Sequence, residues 1–202
     1  MPNTSSTGGY LSPSGAPAPA PLEGQALYDF LQQIFVNITN MPGTAFFPRW
    51  QLEPPNLPAV GSDWAAFGIV TRRNPKFQYV GHKPAQGTFP AYSEFQTHQE
   101  LEILVSFYGP NADTNAGLLR DGIYISQNRE PLLLQNMGLV DTGDCVTASE
   151  LIKNQWLYRV DLRVTIRRQI IRWYPILDVA SAVGDVVTDE PPMTIPIDAS
   201  TP

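Results

Sequence analysis

Hydrophobic residues near the start of the chain recur with the period of a helix. They are spaced by one, three or four positions, which places them along one side of a helix. The members are Leu22, Ala26, Leu27, Phe30, Leu31, Ile34, Phe35 and Ile38. Met41-Pro42-Gly43 follows and predicts the end of the helix. We therefore expect one amphipathic helix whose apolar side packs on a sheet.

The hydrophobic period then changes from about 3.6 to 2. Trp64–Arg73 and Lys76–Gly81 are typical of strands, and the turn at Asn74-Pro75 between them predicts a hairpin. From Phe95 to Phe107 the odd positions are largely apolar, whereas polar residues occupy the even positions. This alternation predicts a half-buried antiparallel strand.

A second helix is expected after Asn111, which is a suitable capping residue. Ala112, Ala116, Leu119 and Ile123 supply its apolar side. We expect Pro131 to break this helix, because proline cannot donate the backbone hydrogen bond. Leu132–Gln135 would form one further helical turn.

The most regular pattern runs from Gln155 to Tyr174. From Trp156 to Ile166 the even positions are apolar, whereas Arg159, Asp161, Arg163 and Arg167 place charge on the odd positions, which predicts a long strand with one buried face. Arg167-Arg168 interrupts the alternation, so we expect a bulge or bend at that point.

Together the elements predict an α+β fold with a small antiparallel β-sheet and flanking helices. We expect a single domain over residues 22–190. Residues 1–21 are rich in Pro, Ser, Gly and Ala and predict a flexible arm. Residues 191–202 form a Pro-rich C-terminal tail that would be flexible or would order against a neighbouring subunit.

Charge is distributed unevenly in this acidic chain. The net charge of -6 argues against general attraction to nucleic acid. Five of the thirteen basic residues nevertheless fall in one segment: Arg159, Arg163, Arg167, Arg168 and Arg172. Residues 176–202 contain acids and no base, which suits a subunit that meets different partners with different faces.

The composition also limits the compartment. No apolar run reaches the roughly 20 residues of a membrane span, so no membrane partner is expected. Cys145 is the only cysteine, which excludes an internal disulfide and favours synthesis in a reducing cytoplasm.

Residues with catalytic potential form no recognisable motif. There is no glycine-rich phosphate loop and no nucleophile elbow. His82 and His98 lack partners at metal-ligand spacing, and no motif places a base beside Cys145. Glu100 and Glu102 share a strand face, which indicates a solvated surface more than a carboxylate pair for glycoside hydrolysis. We therefore expect no enzyme, no catalytic or metal-binding residue and no cofactor.

The stretch from Leu104 to Thr188 resembles the neck or tail terminator family of tailed phages with long contractile tails. The resemblance rests on an ordered series of motifs, namely Phe107-Tyr108-Gly109-Pro110-Asn111-Ala112, Leu119-Arg120-Asp121-Gly122, Gln127-Asn128-Arg129, Asn154-Gln155-Trp156 and the Arg-rich strand ending at Tyr174-Pro175. It implies a structural virion protein, made in the bacterial host cytoplasm, that forms a six-fold ring. The ring would cap the tail tube, contact the tail tube protein or the sheath, and dock the head–tail connector. Genome DNA would pass through it without sequence-specific binding.

Two residue sets would form the subunit interface implied by this resemblance. The charged strand face comprises Arg159, Asp161, Arg163 and Arg167, and it would pair either with a neighbour or with the acidic face of Glu94, Glu100 and Glu102. Trp156 would anchor an interface, as tryptophan often does, or would pack in the core.

Two other functions fit the same patterns. A head-completion protein also forms a ring at the head–tail junction. A sugar- or host-binding module would instead use Trp64, Phe77, Tyr79 and Tyr92 as a stacking platform.

Overall fold

The computed structural model describes residues 10–13, 20–49, 58–59, 61–74, 77–86, 90–152, 155–176, 181–187 and 194–200. The helices in these ranges are α1 (Gly24–Thr39), α2 (Ala112–Gly122) and α3 (Ser126–Leu134), with a short 3-10 turn at Gly43–Ala45. The strands are β1 (Phe46–Pro48), β2 (Trp64–Arg73), β3 (Gln78–Lys83), β4 (Tyr92–Tyr108), β5 (Met137–Thr142), β6 (Val146–Thr147), β7 (Glu150–Ile152), β8 (Gln155–Leu157), β9 (Arg159–Pro175), β10 (Ser181–Val187) and β11 (Thr194–Ser200).

The main sheet has the strand order β1-β2-β4-β9-β5. β3 also pairs with β4, and β6 also pairs with β9. β1 and β2 are parallel, whereas the β2–β4, β5–β9 and β6–β9 pairs are antiparallel. This arrangement confirms the predicted α+β class.

The chain forms two compact units. The first, here called the core unit, comprises residues 20–78 and 96–171. The second unit comprises residues 1–19, 79–95 and 172–202. The long strands β4 and β9 contribute residues to both.

The hydrophobic core lies between the helices and one face of the sheet. Leu27, Leu31 and Phe35 of α1 are buried, as the helical period predicts. The sheet supplies Leu101, Ile103, Val105 and Phe107 from β4 and Val160, Leu162, Val164 and Ile166 from β9, all fully buried. Each such side chain stabilises the fold by about 1.5–3 kcal/mol through burial. The predictions of the first helix and of the strand through Phe107 are confirmed.

The predicted hairpin of Trp64–Arg73 with the next strand is wrong. β2 has the predicted bounds, but it pairs with β4 from Trp64↔Tyr108 to Arg73↔Glu100. β3 also pairs with β4. The reason is the length of β4, whose 17 residues accommodate two partner strands.

The predicted effect of Pro131 is also wrong. α2 already ends at Gly122, and Pro131 lies inside α3. The carbonyl left without an N–H partner belongs to Gln127, four residues earlier. Both residues are exposed, so water can satisfy that carbonyl at little cost.

The predicted strand from Gln155 to Tyr174 is interrupted once. Tyr158 separates β8 from β9. The irregularity expected at Arg167-Arg168 lies instead on the partner strand, where the β5 register shifts between Leu139 and Asp141. The alternation continues because Arg168 occupies a buried position, with 3% of its surface exposed.

The C-terminal region contains a pair of strands that the sequence patterns did not predict. β10 and β11 are antiparallel, from Ser181↔Ser200 to Val187↔Thr194. β11 falls within the Pro-rich tail. Most of the arm predicted over residues 1–21 lies outside the described residues. Among the helices of the described ranges, none combines the length and apolar character of a membrane span.

Candidate subunit interface

One face of the sheet carries charged side chains, because polar residues alternate with the core residues of β4 and β9. We call this surface the charged face; it comprises Arg73, Glu100, Glu102, Asp161, Arg163 and Arg167. The helices pack on the opposite face of the sheet. The charged face is therefore the side of the core unit that is available to a partner.

Ion pairs cross the charged face within one chain. Arg163 Nη1 lies 3.0 Å from Glu102 Oε1, and Arg167 Nη2 lies 2.6 Å from Glu100 Oε1. The arginine side chains are 69% and 54% exposed, whereas Glu102 and Glu100 are 19% and 26% exposed. Exposed pairs of this kind contribute about 0.2–1 kcal/mol. The acidic partners are thus largely covered, and the arginines present the outer surface.

A second polar network lies deeper on the same face. Arg49 donates to Ser106, and the Ser106 hydroxyl donates to Asp161. Arg159 Nη2 lies 3.1 Å from Asp161 Oδ2, and Arg159 also pairs with Glu150. Since Glu150 is the first residue of β7, this network ties the start of the β7–β8 hairpin to the sheet.

The β7–β8 hairpin presents two large apolar side chains to solvent. Leu151 and Trp156 are cross-strand partners, and they are 58% and 71% exposed. Of the two predicted placements for Trp156, core packing is therefore wrong in the isolated chain. An exposed tryptophan is the residue type most often found at the centre of protein interfaces.

Glu94 belongs to a different unit from the other predicted interface residues. It belongs to the part of β4 in the second unit and is half-buried. Within the described residues it forms no ion pair with Arg159, Arg163 or Arg167.

A groove beside β5 was missed by the sequence patterns. It has a volume of about 540 Å³ and lies between the end of α3 and strands β5 and β9. Leu133, Met137 and Val140 line it together with His98, Arg167 and Arg168. Leu133 and Leu134 are 64% and 81% exposed at the end of α3. The consecutive leucines after Pro131 were the only signal in the sequence for this surface.

Cys145, the cysteine considered for chemistry, is half-buried near Arg120, Asp113 and Asp121. Burial raises the pKa of the Cys145 thiol above its ordinary value, and the carboxylates of Asp113 and Asp121 add to this effect while Arg120 opposes it. A raised pKa keeps the thiol protonated at neutral pH and unreactive as a nucleophile. In the described ranges no group of three His, Cys, Asp or Glu side chains is placed to hold a metal ion.

The aromatic residues proposed as a sugar platform divide into two that stack within the fold and two that are exposed. Trp64 is buried and stacks on Tyr108 with ring centroids 3.9 Å apart. Tyr92 stacks on Trp173 at 4.2 Å. Phe77 and Tyr79 remain exposed. Two of the four rings are therefore engaged within the fold.

A family model described as phage neck terminator protein matches residues 25–190, which is most of the chain. No match was found among curated proteins.

Proposed function

The chain belongs to the phage neck terminator family, and on this basis we propose that its copies assemble into a six-subunit ring that closes the end of the tail tube. Family membership makes it a structural component of the virion neck that acts together with other neck and tail proteins. A structural family of this kind also suggests a protein without enzymatic activity. In our proposal the ring offers the surface on which the head–tail connector docks.

The exposed β7–β8 hairpin is the observation that carries the proposal. Leaving Leu151 and Trp156 more than half exposed forgoes part of the stabilisation by burial, which is about 1.5–3 kcal/mol for a fully buried leucine. The Glu150–Arg159–Asp161 network nevertheless ties the hairpin to the sheet. An apolar pair supported in this way has the properties of an interface anchor that is buried on assembly.

The charged face suits a different task in the same assembly. Its exposed arginines, Arg163 and Arg167, would pair with carboxylates of the tail tube, sheath or connector. Such contacts set the register and the association rate more than the affinity. The net negative charge of the chain would let DNA pass through the ring without adhering to it.

The mass of the purified protein in solution tests the proposal. Native mass spectrometry or light scattering would be performed on the protein alone and with the tail tube protein. We expect a six-subunit species, formed alone or on the tube. A protein that stays monomeric in both conditions would contradict the ring and its capping role.

A matched pair of variants connects this test to the hairpin. Trp156→Ala should abolish or weaken the ring, because it removes the exposed anchor. Phe77→Ala removes an aromatic side chain that is 88% exposed and lies outside the hairpin and the charged face, so it should assemble as the wild type does.

A further inference from the structure

The groove beside β5 and the β7–β8 hairpin lie far apart on one subunit. The hairpin ends at Leu157, two residues before the first residue of β9, whereas Arg167 and Arg168 of the groove lie eight and nine residues after that first residue. At about 3.3 Å per residue the separation is roughly 26–30 Å. Trp156 therefore cannot occupy the groove of its own chain.

We infer that Trp156 of one copy inserts into the groove of the next copy. The inference rests on the proposed ring and names the contact that would build it. A ring of identical subunits needs a heterologous interface, in which two different surfaces of the same chain meet repeatedly. An exposed apolar hairpin and a distant apolar groove are one such pair of surfaces.

The chemistry of the groove fits an indole ring. Leu133, Met137 and Val140 provide apolar contact, and the exposed guanidinium group of Arg167 can lie against the aromatic face. Asn136, also in the lining, supplies an amide oxygen that can accept from the indole N–H. The volume of about 540 Å³ falls in the range of pockets that accept a ligand of this size.

Charge complementarity supports a second copy as the occupant. At the hairpin end of the core unit the acids are the more exposed charges, since Glu150 is more exposed than its partner Arg159, and Asp113, which accepts a hydrogen bond from Tyr158, is exposed as well. At the groove the base is the more exposed charge, since Arg167 is more exposed than its partner Glu100. Head-to-tail contact would bring the acidic end of one copy to the basic groove of the next.

Photo-cross-linking locates Trp156 in the assembly directly. The full chain would carry Trp156→p-benzoylphenylalanine and would be mixed with isotope-labelled unmodified chain, alone and with the tail tube protein. Mass spectrometry of the cross-linked peptides then identifies the contacted residues. We expect cross-links between copies to the segment Leu133–Val140. Phe77→p-benzoylphenylalanine is the control and should give none to that segment.

The cross-linking result distinguishes failure of the groove contact from failure of the proposed ring. If the unmodified protein assembles but position 156 cross-links to another hairpin or to the tube protein, the groove contact is overturned and the ring remains. If the unmodified protein never assembles, both are overturned.

A groove variant provides the reciprocal test. Leu133→Glu places a charge in the groove at a position that is 64% exposed, so folding should be unaffected. We expect association to weaken roughly 30-fold or more, as for the loss of an interface hot spot. Leu118→Glu on α2 is the matched control, since Leu118 is also exposed and lies outside the groove. Equal association of both variants with the wild type would overturn the inference.

Discussion

Asp161 is the single residue that connects the two halves of the network beneath the charged face. It accepts hydrogen bonds from Ser106 and from Arg159, and only 19% of its side chain is exposed. Hydrogen bonds to a charged group contribute about 1.5–3 kcal/mol each when the group is shielded from water. The residue therefore stabilises the sheet and the base of the hairpin together.

We expect Asp161→Ala to lower the free energy of unfolding by about 1.5–3 kcal/mol. Urea denaturation with an unchanged m-value would measure this loss. Arg163→Ala, two residues along the same strand face, is the control and should cost at most about 1 kcal/mol because its pair is exposed. Similar losses for the two variants would show that Asp161 is no more than a surface charge.

Tyr158 makes the stability of the chain depend on pH at the alkaline end. Its hydroxyl donates to the Asp113 carboxylate, and this hydrogen bond raises the pKa of Tyr158. A raised pKa in the folded state means that the stabilisation is complete below the ordinary pKa of about 10 and is lost as pH rises through the folded value.

The difference in stability between wild type and Tyr158→Phe measures this effect. We expect a constant difference from pH 7 to 9 and a decrease toward zero above about pH 10. Thermal melts of both proteins across this pH range would measure the difference in stability. Titration of the other tyrosines cancels in the comparison, because both proteins contain them. A difference that does not change with pH would argue against the hydrogen bond.

The contact between α1 and α2 depends on the absence of a side chain at Gly122. A Cβ at this position would lie 2.5 Å from Ile38 Cγ2, and the branched side chain of Ile38 has little rotamer freedom in a helix. Gly117 lies in the same helix, and a Cβ there would meet nothing within 4 Å.

We expect Gly122→Ala to destabilise the fold by about 1–3 kcal/mol through overpacking. Gly117→Ala should instead stabilise it by up to about 1 kcal/mol, since alanine favours the helix. Chemical denaturation of both variants would compare them. A stabilising Gly122→Ala would mean that α1 moves away at no cost.

The elements that the sequence predicted are those whose period is unambiguous. α1 and β4 show a sustained stripe or alternation, so their existence followed from local spacing. The pairing of β3 with β4 did not follow, because pairing depends on the length of a distant strand. Pro131 was misread because the cost of a helical proline depends on whether the carbonyl it leaves unpaired is exposed.

At the scale of the whole molecule, the sequence again predicted the local features of the candidate interface but not the contacts between distant segments. Alternation placed Arg163 and Arg167 on one face, but only the register of the sheet identifies Glu102 and Glu100 as their partners. The exposure of Trp156 arises from the break at Tyr158, which turns an apparent strand residue into part of a hairpin. The groove joins residues from four elements, α3, β4, β5 and β9, so no local pattern could predict it.

Charge reversal at Arg163 tests whether the charged face meets a partner. Arg163→Glu should leave the chain folded, because the side chain is 69% exposed, and should weaken assembly with the tail tube protein. Sedimentation with assembled tubes would measure the loss.

The double variant Arg163→Glu with Glu102→Arg separates the two explanations of such a loss. It restores an ion pair of opposite polarity within the chain but keeps the reversed charge at the exposed position. If the pair acts only inside the subunit, the double variant should assemble like the wild type. If Arg163 meets a carboxylate of a partner, assembly should remain weak, because the new glutamate at the surface repels that carboxylate. Raising the salt concentration should then lessen the difference from wild type, since screening reduces repulsion between exposed charges.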